Sequence, residues 1–140
     1  MARTSIDDLL AQARRRLTRL DPAAALDAMG AGATLIDIRS DSQIAEDGVI
    51  AGALVIPRNV LEWRLDPAST HRHPRAPGLD DHVILMCNEG YQSSLAAATL
   101  QDLGFARATD LDGGFEAWRA AGLPITRTSR GERRPSDPAV

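Results

Sequence analysis

The segment Val83-Ile84-Leu85-Met86-Cys87-Asn88-Glu89-Gly90-Tyr91-Gln92-Ser93-Ser94-Leu95-Ala96-Ala97-Ala98-Thr99-Leu100 runs from unbroken apolar residues, through a polar turn, into an alanine-rich stretch. An apolar run without alternation fits a strand buried on both faces. Alanine and leucine in quantity fit a helix. A strand–turn–helix unit points backbone N–H groups, and the positive end of the helix dipole, at whatever occupies the turn. The residue there is Cys87, and a thiol in such surroundings is favoured as a nucleophilic thiolate.

The same alternation extends in both directions. Thr34–Ile38, Leu54–Ile56 and Ala108–Leu111 read as further short strands. Ile6, Leu9, Leu10, Ala13 and Leu17 fall at helical spacing behind a Ser5 cap, and Asp21-Pro22 opens a second helix. Residues 42–47, 59–65 and 115–121 read as short helices. Alternating strands and helices predict an α/β fold whose mainly parallel sheet is covered on both faces, with ligands bound beyond the carboxyl ends of the strands. Arg14, Arg15 and Arg16 read as a solvated helix end that suits the dipole. Residues 66–81 read as a loop, and its His71 and His73 lack a visible third ligand, so no metal is expected.

With 140 residues, 44% hydrophobic and 25% charged, the chain has the size and composition of one ordinary globular domain. A net charge of −3 argues against non-specific nucleic-acid binding. One cysteine excludes an internal disulfide and a cysteine-built zinc site. No apolar stretch approaches the ~20 residues of a membrane span, and the N-terminus has no signal-peptide core. A monomer in the reducing cytoplasm, without a cofactor, is therefore expected.

Three stretches, in this order and spacing, resemble the rhodanese family of sulfurtransferases. The first is Leu35-Ile36-Asp37-Ile38-Arg39, followed by Gly48-Val49-Ile50-Ala51-Gly52-Ala53, which is similar to the family's Gly-His-Ile-Pro-Gly-Ala, and then Ile56-Pro57. The second is the Cys87 loop, similar to the family's Cys-x-x-Gly-x-x-Ser. The third is Leu111-Asp112-Gly113-Gly114-Phe115-Glu116-Ala117-Trp118, followed by Ala121-Gly122-Leu123-Pro124. The resemblance covers residues 17–125, leaving 1–16 as an N-terminal helical extension and 126–140, which has no apolar face, as a disordered tail. It implies a parallel sheet of about five strands flanked by helices on both faces, with Leu17–Leu20 as the short first strand. It also implies a cysteine that carries sulfur as a persulfide.

Sulfur transfer needs a nucleophile and a means of stabilising a negative persulfide. Cys87 is the expected catalytic residue, with Asn88, Glu89, Gly90, Tyr91, Gln92 and Ser93 as the binding loop. Gly90 lets the loop curl, Glu89 should face solvent, and Tyr91 and Gln92 should line the mouth. Ser93 and Ser94 are expected to cap the next helix or to bond the sulfur. Asp37 and Arg39 are read as braces for neighbouring loops, because strand-end backbone groups need partners. Arg58 and Arg64 are read as surface residues, Trp63 as packed, Phe115 and Trp118 as core anchors, and Gly113-Gly114 as a turn. The expected partners are a small sulfane-sulfur donor and a thiol or cyanide acceptor, or a partner protein in a sulfur relay. This chain departs from the family at Val49, Ala51 and Gln92, where histidine, proline and arginine are usual. With no basic residue in the loop, thiosulfate would depend on backbone N–H groups and the helix dipole, so weak thiosulfate turnover is expected. A docking or sulfur-delivery module is the alternative. A related phosphatase or arsenate reductase would need an arginine where Ser93 stands.

Overall fold

The computed structural model describes residues 3–127. Its helices are α1 (Ile6–Arg15), α2 (Pro22–Gly30), α3 (Asp41–Asp47), α4 (Leu61–Leu65), α5 (Gln92–Asp102) and α6 (Gly114–Ala120). Its strands are β1 (Thr34–Asp37), β2 (Leu54–Val55), β3 (Val83–Met86) and β4 (Ala108–Asp110). All pairings are parallel, in the order β2-β1-β3-β4. The sheet is thus α/β and covered on both faces, as the apolar runs require.

Alternate side chains of each strand enter opposite cores, so both must be apolar. Ile36, Val83, Leu85 and Cys87 pack with Leu61 and Leu65 of α4 and Ala96, Ala97 and Leu100 of α5. Leu35, Ile84 and Met86 pack with Ala25 of α2 and with Phe115 and Trp118 of α6. Each large side chain buried this way contributes about 1.5–3 kcal/mol relative to exposure. The register pairs Asp37 with Met86, bringing the carboxyl ends of β1 and β3 side by side.

The first three helices begin at side-chain caps. Ser5 and Asp8 form a reciprocal capping box at α1, Asp21 accepts the Ala24 N–H at 2.8 Å in front of Pro22, and Ser40 pairs with Gln43 at α3. α1 packs along α5, fastened by an Arg16–Asp102 ion pair at 2.6 Å.

Two expectations are corrected. The fifth strand, Leu17–Leu20, reduces to a single parallel bridge between Leu20 and Leu111. Its neighbours are committed elsewhere. The Leu17 N–H still donates to the Arg14 carbonyl of α1, the Thr18 carbonyl accepts from the Thr109 hydroxyl, and Asp21 caps α2. The tail expected from residue 126 is also held at its first two residues. Thr126 pairs antiparallel with Val49 and Arg127 donates to the Glu46 carbonyl at 3.0 Å. The remainder of that tail lies outside the described residues.

Candidate active site

Cys87 follows β3 directly and is 8% exposed. The Gly90 and Ser93 backbone N–H groups both point at its Sγ, at 3.2 and 3.3 Å. Gly90 makes this possible. Its φ of +88° turns the N–H inward, and a Cβ there would lie 2.8 Å from the Gly113 nitrogen. The Ser93 N–H belongs to the open first turn of α5, so the sulfur sits where the helix has unsatisfied donors.

The other side of the loop is held by α6. Phe115 N–H donates to the Cys87 carbonyl at 2.9 Å and Glu116 N–H to the Asn88 carbonyl at 3.0 Å. Such close approach requires Gly114, whose added Cβ would sit 2.5 Å from the Cys87 carbonyl oxygen. The glycine pair is therefore a turn that abuts the cysteine loop.

Below the loop lies a buried carboxylate. Asp110 of β4 accepts from the Ser93 and Ser94 hydroxyls at 2.8 and 2.7 Å and from Arg19 Nε at 2.9 Å. The expectation for the serine hydroxyls is thereby corrected: they anchor α5 to Asp110, and only the Ser93 backbone N–H serves the sulfur. Arg19 also pairs with Asp112 at 3.0 Å and donates to the Gly90 carbonyl at 2.9 Å. Partial burial works against its charge. The hydrogen bond to Asp110 and the negative charges of Asp110, Asp112 and Cys87 outweigh this and hold the guanidinium pKa above its ordinary value.

A second cation arrives from α1. Arg14 Nη2 donates to the same Gly90 carbonyl at 2.8 Å, its Nε donates to the Ser94 hydroxyl at 3.1 Å, and its guanidinium lies over the Tyr91 ring. Reading residues 14–16 as a purely solvated helix end is thus wrong for Arg14. Arg14, Arg19 and Asp110 are the residues that sequence reasoning missed. A carboxylate at the end of an otherwise short, buried strand was the available signal for a hidden cationic partner.

The remaining expected site residues separate clearly. Glu89, Tyr91 and Gln92 are exposed around the mouth, whereas Asn88 is half-buried with its amide oxygen unbonded among the described residues. Asp37 and Arg39 lie at the end of β1 and do not touch the sulfur. Arg39 pairs with Asp37 at 2.8 Å, donates to the Gly48 carbonyl at 2.7 Å and stacks over Phe115 at 3.9 Å. Both side chains are fully buried. Arg58 pairs with Glu62 at 2.7 Å. Arg64 is buried rather than on the surface, and donates to the His71 carbonyl at 2.8 Å. Trp63 is 57% exposed rather than packed, because α4 buries Leu61, Arg64 and Leu65 instead. His73 Nδ1 accepts the Arg75 N–H at 2.9 Å. Among the described residues no cluster of three or more His, Cys, Asp or Glu side chains could hold a metal ion, and no helix is long and apolar enough to cross a membrane.

This arrangement has clear relatives. The model for the rhodanese-like domain matches residues 21–121. The thiosulfate sulfurtransferase GlpE of Stutzerimonas stutzeri is 37% identical over 101 residues, which is 72% of this chain and 84% of that one. A sulfurtransferase of Allochromatium vinosum is 34% identical over 91 residues, covering 65% of this chain and 76% of that one. Among solved structures, a Rhodopseudomonas palustris protein described as of unknown function and a possible tyrosine phosphatase superposes with a TM-score of 0.80 at 36% identity. That match covers 90% of this chain and 99% of the other. A thiosulfate sulfurtransferase from Pseudomonas aeruginosa gives 0.63 at 26% identity, covering 86% of this chain and 23% of the other. With a family model matched over most of its length and relatives above 30% identity, this chain belongs to the rhodanese-like domain family.

Proposed function

We propose that this protein is a sulfurtransferase that carries sulfane sulfur as a persulfide on Cys87. The observation that carries this reading is the pair of N–H groups, from Gly90 and Ser93, converging on Sγ at the open end of α5. Donors fixed in this way stabilise negative charge on the sulfur without reorganising during the reaction. In the first half-reaction the Cys87 thiolate attacks the outer sulfur of the donor. A Cys87–sulfur bond forms, and the donor's remaining group leaves with the bonding electron pair, as sulfite from thiosulfate or as a thiolate from a persulfide. In the second, an acceptor thiolate or cyanide attacks the outer sulfur and Cys87 departs as a thiolate, so the enzyme is regenerated with no net redox change.

The donor favoured by the loop is a persulfide or polysulfide, small or carried on a partner protein, rather than the thiosulfate dianion. Glu89 is exposed at the mouth, the loop has no basic residue, and the two cations bonded to its backbone are occupied, Arg14 by the Gly90 carbonyl and the Ser94 hydroxyl and Arg19 by the Gly90 carbonyl and two carboxylates. A sulfur-delivery module that loads only from a protein partner is the second reading, favoured by the same acidic mouth. Phosphoryl transfer is disfavoured. Ser93 stands where a phosphatase loop needs its arginine, and its hydroxyl is engaged by Asp110 at 2.8 Å. The test is cyanide-dependent thiocyanate release with a polysulfide and with thiosulfate. Turnover should be lost in Cys87→Ser, and equal turnover in that variant would overturn the reading.

A further inference from the structure

We infer that Arg14 and Arg19 are positioning residues for Cys87, and that α1 and the residues leading into α2 are working parts of the cysteine loop. The inference rests on the reading of Cys87 as the reactive group, and deepens it.

The Gly90 N–H points at the sulfur, while the Gly90 carbonyl accepts from Arg14 Nη2 at 2.8 Å and Arg19 Nη2 at 2.9 Å. With φ at +88°, Gly90 has a wide choice of backbone conformations, and nothing in its own side chain selects this one. Two charge-assisted bonds on the carbonyl do select it. If the residue rotated, both bonds would break and the N–H would leave the sulfur. The second N–H is fixed by the same pair. Arg14 Nε holds the Ser94 hydroxyl at 3.1 Å, and Arg19 neutralises Asp110, which holds the hydroxyls of Ser93 and Ser94. Both donors to the sulfur therefore trace back to the two arginines.

The loop's lack of its own basic residue is met here by residues far away in the chain. Arg14 reaches Gly90 from 76 positions away and Arg19 from 71. They lie behind the loop, against its backbone, and so organise the sulfur's donors without offering a cation to a bound anion.

The ionisable groups around Cys87 and its loop are Arg14, Arg19, Glu89, Tyr91, Asp110 and Asp112, with the Asp37–Arg39 pair at the neighbouring strand end. The experiment measures the rate of Cys87 alkylation by iodoacetamide against pH in the full-length protein. Arg14→Gln is the primary variant, because Arg14 has no carboxylate partner among its hydrogen bonds and its loss strands no buried charge. Arg15→Gln removes the same charge from the same helix at an exposed position. Arg19→Gln combined with Asp110→Asn tests Arg19 while keeping the buried site neutral.

Alkylation at neutral pH should fall about three- to tenfold in Arg14→Gln and in the double variant, with the profile displaced to higher pH. Arg15→Gln should follow the unaltered protein. Unaltered profiles in both Arg14→Gln and the double variant would overturn the inference, as would an Arg15→Gln effect equal to that of Arg14→Gln. Alkylation needs neither donor nor acceptor, so this result stands apart from whether Cys87 loads sulfur.

Discussion

The carboxyl ends of β1 and β3 lie side by side, and both carry chemically capable residues, yet they do opposite things with them. At the end of β1, Asp37 and Arg39 pair with each other, Arg39 also donates to the Gly48 carbonyl, and neither is accessible. At the end of β3, two N–H groups converge on a Cys87 sulfur that has no charged partner bonded to it. Position beyond the strand ends is common to both. At the Cys87 loop the hydrogen bonds converge on an atom able to form a new bond, whereas at the brace they close on a carboxylate and a carbonyl, with the buried Arg39 Nη1 left unbonded among the described residues.

The sharpest way to break this comparison is to remove one half of the brace. Arg39→Ala leaves the Asp37 carboxylate buried without its partner, and should destabilise the protein by about 3–5 kcal/mol in urea unfolding. The fraction that remains folded should still load sulfur at Cys87. A stable Arg39→Ala protein that cannot load sulfur would place Arg39 in the chemistry and erase the distinction. The next effect is at Gly90→Ala. The residue must hold φ at +88°, and its Cβ would press on Gly113 N at 2.8 Å and Arg19 Nη2 at 3.2 Å. Stability should fall by about 1–3 kcal/mol. The rate of Cys87 alkylation should fall roughly tenfold as one N–H leaves the sulfur. Loss of stability with unchanged alkylation would show that the Gly90 N–H matters only for folding.

How legible these two regions were differs for physical reasons. The Cys87 loop announced itself because strand, turn and helix are contiguous, and that order alone places the thiol at the open end of a helix. The Asp37–Arg39 brace was legible for the same reason, since its members are two positions apart. Arg14 and Arg19 were not. Their partners are 76 and 71 positions distant, and a basic residue in the last turn of a helix has an adequate local explanation. Leu17–Leu20 was over-read as a strand, because a segment's competing backbone bonds, here to α1 and Thr109, leave no trace in its own residues. Trp63 and Arg64 were exchanged in burial, since the one-turn phase of so short a helix is set by tertiary packing rather than by a repeating pattern.

Smaller effects sharpen the account of the mouth. Glu89→Gln removes an exposed negative charge, and should raise kcat/KM for thiosulfate about threefold at low salt, with the gain fading as salt screens it. An uncharged sulfane donor should be nearly unaffected. An equal change for both donors would mean that Glu89 acts on the sulfur rather than on the approaching anion. The smallest effect lies at the opposite end of β3. Burial and the Arg107 charge lower the pKa of His82 below its ordinary value. The unfolded chain therefore binds a proton at higher pH than the folded one, and stability is lost as pH falls from the ordinary histidine value through the folded one. His82→Gln should flatten the thermal midpoint in that window and leave alkylation of Cys87 unchanged. A midpoint that still falls equally in the variant would assign the loss to another group.

The central claim is that Cys87 holds transferable sulfur, and intact mass tests it most directly. The protein is incubated with a polysulfide, freed of excess donor, and weighed with and without reductant beside Cys87→Ser. The account predicts a gain of one sulfur atom that reductant reverses and that the serine variant lacks. No gain from polysulfide, thiosulfate or a persulfidated protein, or an equal gain in Cys87→Ser, would contradict it.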